Sequence, residues 1–172
     1  MVSLLDIIGP VMVGPSSSHT AGACRLGLLA RGLVGGTPES ALLELHGSFA
    51  RTGEGHGTDK ALVAGLLGFR PDDERIRTAL EIADGEGLEY KFEKTTITDE
   101  SHPNTVRITA SRGPRRAVMV GSSLGAGRVL VTEIDGFPVD ISGNFFSIVI
   151  LAADVKGSIA RVTHILSDHD IN

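Results

Sequence analysis

Apolar residues recur at three- and four-residue intervals along Ala21, Cys24, Leu26, Leu28, Leu29 and Leu33, the spacing that turns one side of a helix toward a core. The pattern predicts a helix from about Ser18 to Thr20 through Leu33, broken by Gly35-Gly36-Thr37-Pro38. Leu4 to Val13 ahead of it reads as an extended apolar opening segment. Alternation then takes over: Ala41 to Ala50, with Leu43, Leu45 and Gly47 in phase, predicts a strand. After a glycine-rich loop, Ala61, Leu62, Leu66 and Leu67 mark a second helix, capped by Thr58 or Asp59 and ended by Gly68. A third is expected from Asp72 to about Gly85, with Pro71 before it, Asp73 and Glu74 in its first turn, and Ile76, Leu80 and Ala83 on one face.

Beyond Glu89 the period changes to two. Glu89–Ile97, Thr105–Ser111, Ala117–Val120 and Arg128–Ile134 read as strands, with Gly121–Gly127 as the loop between the last pair. Asp135-Gly136 is a hairpin turn returning through Phe137–Ile141. Helices interleaved with one early strand, then mainly antiparallel strands, predict an α+β fold with helices packed on a mostly antiparallel sheet. Ser142-Gly143-Asn144 looks like a linker dividing residues 1–143 from 144–172. The second piece reads as a strand (Phe145–Ala152), a turn (Asp154–Ser158) and a helix (Ile159–His169). One strand and one helix cannot close a core, so this piece is expected to pack on the main domain, swap with another copy or fray. The expectation is a shortened chain.

At 172 residues and a formal charge of −5, the chain can bury one core and has no electrostatic footprint for nucleic acid. The short Arg112–Arg116 cluster is expected at a turn between strands. No apolar run approaches the roughly 20 residues that span a bilayer, and no secretory leader pattern opens the chain. A cytoplasmic protein with no membrane or nucleic-acid partner is expected. Cys24 is the only cysteine, so no internal disulfide can form.

Three segments could carry chemistry. In Gly14-Pro15-Ser16-Ser17-Ser18-His19-Thr20, hydroxyls and an imidazole stand at a helix start, where free amides attract a carboxylate or phosphate. The plainer role of such serines is capping. The second, Arg51–Lys60, carries glycines at 53, 55 and 57 around an exposed His56, and those glycines allow a ligand to come close. It lacks the Gly-Lys-Ser/Thr of a phosphate-binding loop. The third, His102-Pro103-Asn104, reads as a turn entering a strand, with Asn104 suited to an Asx turn. His19, His56 and His102 show no metal-ligand spacing, so zinc is not expected. His46 is expected as a cross-strand neighbour, and His164 and His169 need no functional account.

Gly14–Thr20 (GPSSSHT), Thr52–Ala61 (TGEGHGTDKA) and His102-Pro103-Asn104-Thr105, in this order, resemble the signatures of the iron–sulfur L-serine dehydratases, specifically their beta subunit or beta-like domain. The resemblance covers most of Met1–Gly143. It implies L-serine as substrate, pyruvate and ammonia as products, and a fold like the allosteric substrate-binding domain of phosphoglycerate dehydrogenase. The tail is similar to the first third of an ACT domain. One cysteine cannot hold a cluster that takes three or four thiolates. The resemblance therefore implies a 4Fe-4S cluster on a cysteine-bearing alpha subunit, none bound by this chain alone; a homodimer of this chain is a further expectation. Dehydrating serine needs a base for its α-proton, a role that suits histidine: His56 is the expected base, with His19 as runner-up, and Ser16, Ser17, Ser18 and Thr20 are expected to orient substrate, with Thr58, Asp59, His102 and Asn104 also expected to contact it. The competing expectation is a non-catalytic, amino-acid-sensing regulatory and dimerisation module, and a third is a scaffold that dimerises through the tail strand.

Overall fold

The structure, a computed structural model, describes residues 10–98 and 101–171, with Glu54 described by its backbone alone. The expected opening segment therefore lies largely outside the described residues. The fold is α+β, as the periodicities predict. Ser17–Gly22 forms a π-helical turn that runs without a break into α1 (Ala23–Val34). β1 (Ser40–Leu45) leads into α2 (Gly47–Thr52), a 3-10 turn (Glu54–His56) and α3 (Thr58–Leu67). A second 3-10 turn (Glu74–Thr78) and α4 (Ala79–Glu86) precede β2 (Glu89–Lys94). β3 (Thr105–Arg112), β4 (Arg115–Gly125), β5 (Arg128–Ile134) and β6 (Phe137–Ile141) follow, then α5 (Ser158–Asp168).

The described strands form one sheet in the order β2-β1-β3-β4-β5-β6. Only the β1–β2 pair is parallel, the crossover passing through the intervening helices; the other pairs are antiparallel. Alternate residues Ala41, Leu43 and Leu45 of β1, with Val106, Ile108 and Ala110 of β3, face the helices and are buried. α1 and α3 complete this core at close range. A Cβ on Gly27 would collide with the Leu62 carbonyl, and one on Gly65 with the Cys24 carbonyl. Small residues at the crossing thus set how closely the two backbones approach.

Four expectations need correction. The strand expected to Ala50 stops at Leu45, because Gly47 takes φ +59° and turns the chain into α2. A Cβ at Gly47 would meet the Pro103 carbonyl oxygen at 2.5 Å, so the turn needs glycine. α3 is capped by Gly57 in a left-handed conformation, not by the side chain of Thr58 or Asp59. The expected loop Gly121–Gly127 is mostly strand: Gly121, Ser122 and Ser123 continue β4 and are buried, since Gly121 leaves room for Leu26 and Ser123 packs on Gly22. Phe145–Ala152 forms no strand; it has no ladder partner among the described residues and stands exposed. α5 buries none of its residues. The third helix exists, but its first turns are 3-10, started by Asp73, whose carboxylate accepts from Arg75 N at 3.0 Å. Asp135 and Gly136 both take positive φ, 50° and 83°, the geometry expected of the hairpin turn.

Candidate active site

Two irregular turns meet at one end of α1 and α3. At the first, Ser16 Oγ accepts from His19 N at 3.2 Å and Ser17 Oγ accepts from Ala126 N at 3.1 Å, which ties the π turn to the β4–β5 hairpin. Two of the three expected serine contacts thus each accept one structural hydrogen bond, and Ser18 stands beside Gly125. The wider π turn leaves both His19 and Thr20 buried; such turns are frequent at functional sites. The second turn, Glu54–His56, carries an exposed His56 on a ring 5.0 Å from that of His19.

His19 is held on every side. Its Nδ1 lies 2.7 Å from the Oγ1 of fully buried Thr58 and its Nε2 lies 3.4 Å from Ser48 Oγ. Its ring meets Phe49 edge-on at 5.2 Å. Burial, and secondarily the charge of His56, lower its pKa below the usual 6.5, because a desolvated imidazole resists taking a proton. Among the described residues the His56 ring makes one hydrogen bond, Nδ1 to the Thr52 carbonyl at 2.8 Å. A carbonyl only accepts, so the proton sits on Nδ1, and in the neutral ring Nε2 keeps a free lone pair.

His56 lines a cleft of about 440 Å3 together with Gly14, Thr20, Gly55, Lys60 and Ile76. Thr20 Oγ1 is buried there with no hydrogen-bond partner among the described residues. Lys60 is exposed in the first turn of α3, so its ammonium and the positive end of the helix dipole both favour an anion. Asp59, expected to contact substrate, has a buried Oδ1 without a partner. A larger hollow of about 620 Å3, lined by Leu28, Leu33, Met119, Val131 and Phe145, is apolar and has no histidine in its walls.

His102 and Asn104 are not in the walls of the histidine cleft. His102 Nδ1 accepts from Asn104 N at 3.1 Å, while the Pro103 carbonyl between them accepts from Ser48 N at 2.6 Å. The segment thus supports the start of α2, and Asn104 takes Ser123 N on its carbonyl at 2.9 Å. Its Oδ1 is buried and unpartnered. His46 is not a cross-strand neighbour within β1; it precedes α2 and accepts Ile97 N at 3.2 Å. Ser48 and Phe49 carry no site expectation because they fall in the expected strand, and Thr52, though inside the second motif, is not assigned a contact with His19's neighbours. The available signal was two hydroxyls four residues apart, a spacing that brings side chains into contact on a helix but holds them far apart on a strand.

Cys24 is wholly buried and its Sγ donates to the Phe69 carbonyl at 3.1 Å. Burial, followed by the charges of Asp73 and Asp72, pushes its pKa up to about 12, so it stays a thiol. Among the described residues no group of three or more His, Cys, Asp or Glu side chains could hold a metal ion. These residues do not fit an iron–sulfur cluster. No described helix is long and apolar enough to cross a membrane.

The arrangement, a proton acceptor beside a cationic cleft, suits a small amino or hydroxy acid. A family described as "Serine dehydratase beta chain" matches residues 3–133, a span that holds both histidine turns and the sheet through β5. The "Probable L-serine dehydratase, beta chain" of Bacillus subtilis is 46% identical over 170 residues, covering 99% of this chain and 77% of that protein. The "L-serine dehydratase, beta chain" of Peptoniphilus asaccharolyticus is 42% identical over 171 residues, with the same coverage of 99% and 77%. "L-serine dehydratase TdcG" of Escherichia coli is 30% identical over 165 residues, which are 82% of this chain and 36% of TdcG. With the family match spanning both histidine turns and two beta chains matched over 99% of its length, this chain belongs to the serine dehydratase beta chain family.

Proposed function

We propose that this chain is the beta subunit of an L-serine dehydratase, binding L-serine in the His56 cleft and removing its α-proton. One observation carries the reading: His56 is fixed through Nδ1 on the Thr52 carbonyl and leaves Nε2 bare toward a cleft that also holds Lys60. The substrate carboxylate would lie at Lys60 and the first turn of α3, with the unpartnered Thr20 hydroxyl within the same walls. Held that way, the α-carbon faces the free Nε2 lone pair of a positioned imidazole, the group such a proton removal needs. The α C–H electrons become the new double bond, the proton passes to His56 Nε2, and the β-hydroxyl departs with its electron pair as hydroxide, which a proton from solvent converts to water. The resulting aminoacrylate tautomerises and adds water to give pyruvate and ammonia.

Departure of the hydroxyl needs an acid that this chain's described residues do not supply. We place the 4Fe-4S cluster on a cysteine-bearing alpha subunit, because Cys24 is a buried, protonated thiol. The names of the Bacillus and Peptoniphilus relatives support a partner subunit, and the match to only 36% of TdcG fits a longer chain that carries more than the beta part. Residues 144–172, whose helix buries nothing, we read as the start of a separate ACT-like unit.

The test is anaerobic co-expression with a cysteine-rich alpha subunit, followed by assay of pyruvate from L-serine and D-serine. Pyruvate from L-serine only with both chains and an intact cluster is expected. A stable complex without turnover would overturn the catalytic reading in favour of an amino-acid-sensing module.

A further inference from the structure

Around His19 the hydroxyl protons can be placed by counting. Thr52 Oγ1 donates to the Ser48 carbonyl at 3.1 Å, and this uses its only proton. At the 3.2 Å contact between Ser48 Oγ and Thr52 Oγ1, Ser48 must then be the donor. Its proton is now used as well, so at the 3.4 Å contact with His19 the ring nitrogen Nε2 has to donate. A neutral ring protonated at Nε2 has its lone pair on Nδ1, which accepts from Thr58 Oγ1 at 2.7 Å. All four contacts are satisfied together. The opposite neutral tautomer forfeits one of them, leaving two acceptors facing each other. The doubly protonated ring would also fit, but burial and the neighbouring His56 disfavour it.

We infer that Ser48 and Thr52 are positioning residues that hold His19 as the Nε2–H tautomer, so that the two adjacent histidines carry their protons on opposite nitrogens and only His56 presents a free lone pair. His19 then cannot serve as the base: Nε2 carries the proton and Nδ1 is spent on a buried hydroxyl. It acts as a fixed, neutral wall against which the His56 ring stands. The role in catalysis rests on the proposed reading of the cleft, but the proton placement does not.

The experiment is ring-nitrogen NMR of the histidine-labelled full chain at about pH 8, above the usual imidazole range, for the unaltered protein, Thr52→Val, Thr52→Ser and Ser48→Ala. The expected unaltered pattern is Nε2–H for His19 and Nδ1–H for His56. Thr52→Val keeps the carbonyl that holds His56 but frees the Ser48 proton, so His19 moves toward Nδ1–H while His56 stays; Thr52→Ser restores the original pattern. Ser48→Ala removes the acceptor of Nε2–H and leaves His19 a mixture. An unaltered chain with His19 as Nδ1–H, or a folded Thr52→Val chain with an unchanged His19, would overturn the inference. These spectra do not depend on turnover, so failure of the dehydratase reading would show separately in the pyruvate assay.

Discussion

The rings of His19 and His56 stand 5.0 Å apart with a 34° tilt, although one is carried by a π turn and the other by a 3-10 turn. Both helix starts depart from α-helical regularity at the same end of the α1–α3 crossing, and the pair sits there.

The sharpest consequence concerns His56. In the enzyme assembled with its partner, His56→Ala is expected to lower kcat about a hundred- to ten-thousand-fold, the usual worth of a positioned proton acceptor. KM for L-serine should change little, since the imidazole is not assigned to the carboxylate. Steady-state kinetics check it, and near-normal turnover would remove His56 from the mechanism.

Lys60 separates binding from chemistry. Lys60→Ala is expected to raise KM for L-serine about tenfold or more, as for loss of a charge-assisted hydrogen bond. Lys60→Arg should recover most of the affinity. A Lys60→Ala enzyme with unchanged KM would place the carboxylate elsewhere.

Buried His19 makes stability depend on pH. Its folded-state pKa lies below the ordinary 6.5, so between the two values the unfolded chain binds more protons than the folded one. Stability therefore rises with pH through that window, is complete above 6.5, and is lost as pH falls toward the lowered value. The melting temperature measured down through this range should fall, and His19→Gln should flatten the part of the slope that His19 contributes. An identical slope in the variant would contradict the assignment.

Cys24 is predicted to be inert in the folded chain. A buried thiol with its pKa near 12 should react with a disulfide reagent at neutral pH only after denaturant unfolds the protein. Rapid labelling of the native chain would show an accessible thiolate and reopen Cys24 as a ligand.

Gly65 tests the helix crossing. Because a Cβ there would collide with the Cys24 carbonyl, a backbone atom that cannot swing aside, Gly65→Ala should destabilise by about 1–3 kcal/mol or more. Chemical denaturation would measure it. The exposed Gly85, with nothing near a new Cβ, should tolerate the same change.

The sequence made the helices α1 and α3 and the strands of the meander legible, because their periods match elements that bury one face. It named both histidines from the company they keep. What it hid were features decided by a single distant contact. α2 looks like a continuation of β1 until Gly47 is pressed on Pro103. Gly121–Ser123 looks like a loop until Leu26 and Gly22 are seen to occupy the space their small side chains leave. Ser48 and Thr52 became visible only with α2, since the hydroxyls meet only on a helix. Phe145–Ala152 had the composition of a strand, but a strand also requires a partner edge.

The support that the Pro103 carbonyl gives to Ser48 N and Phe49 N also ties the histidine end of the helices to the sheet. α1, α2 and α3 are close in the chain, yet β1 is gripped between β2 and β3, and the segment that steadies α2 enters β3. A chain ending before Pro103 would contain both histidines but lack the contact that steadies α2. The observed arrangement of the pair therefore depends on closing the long loop that brings Pro103 to α2, and the site and the centre of the sheet share one anchor.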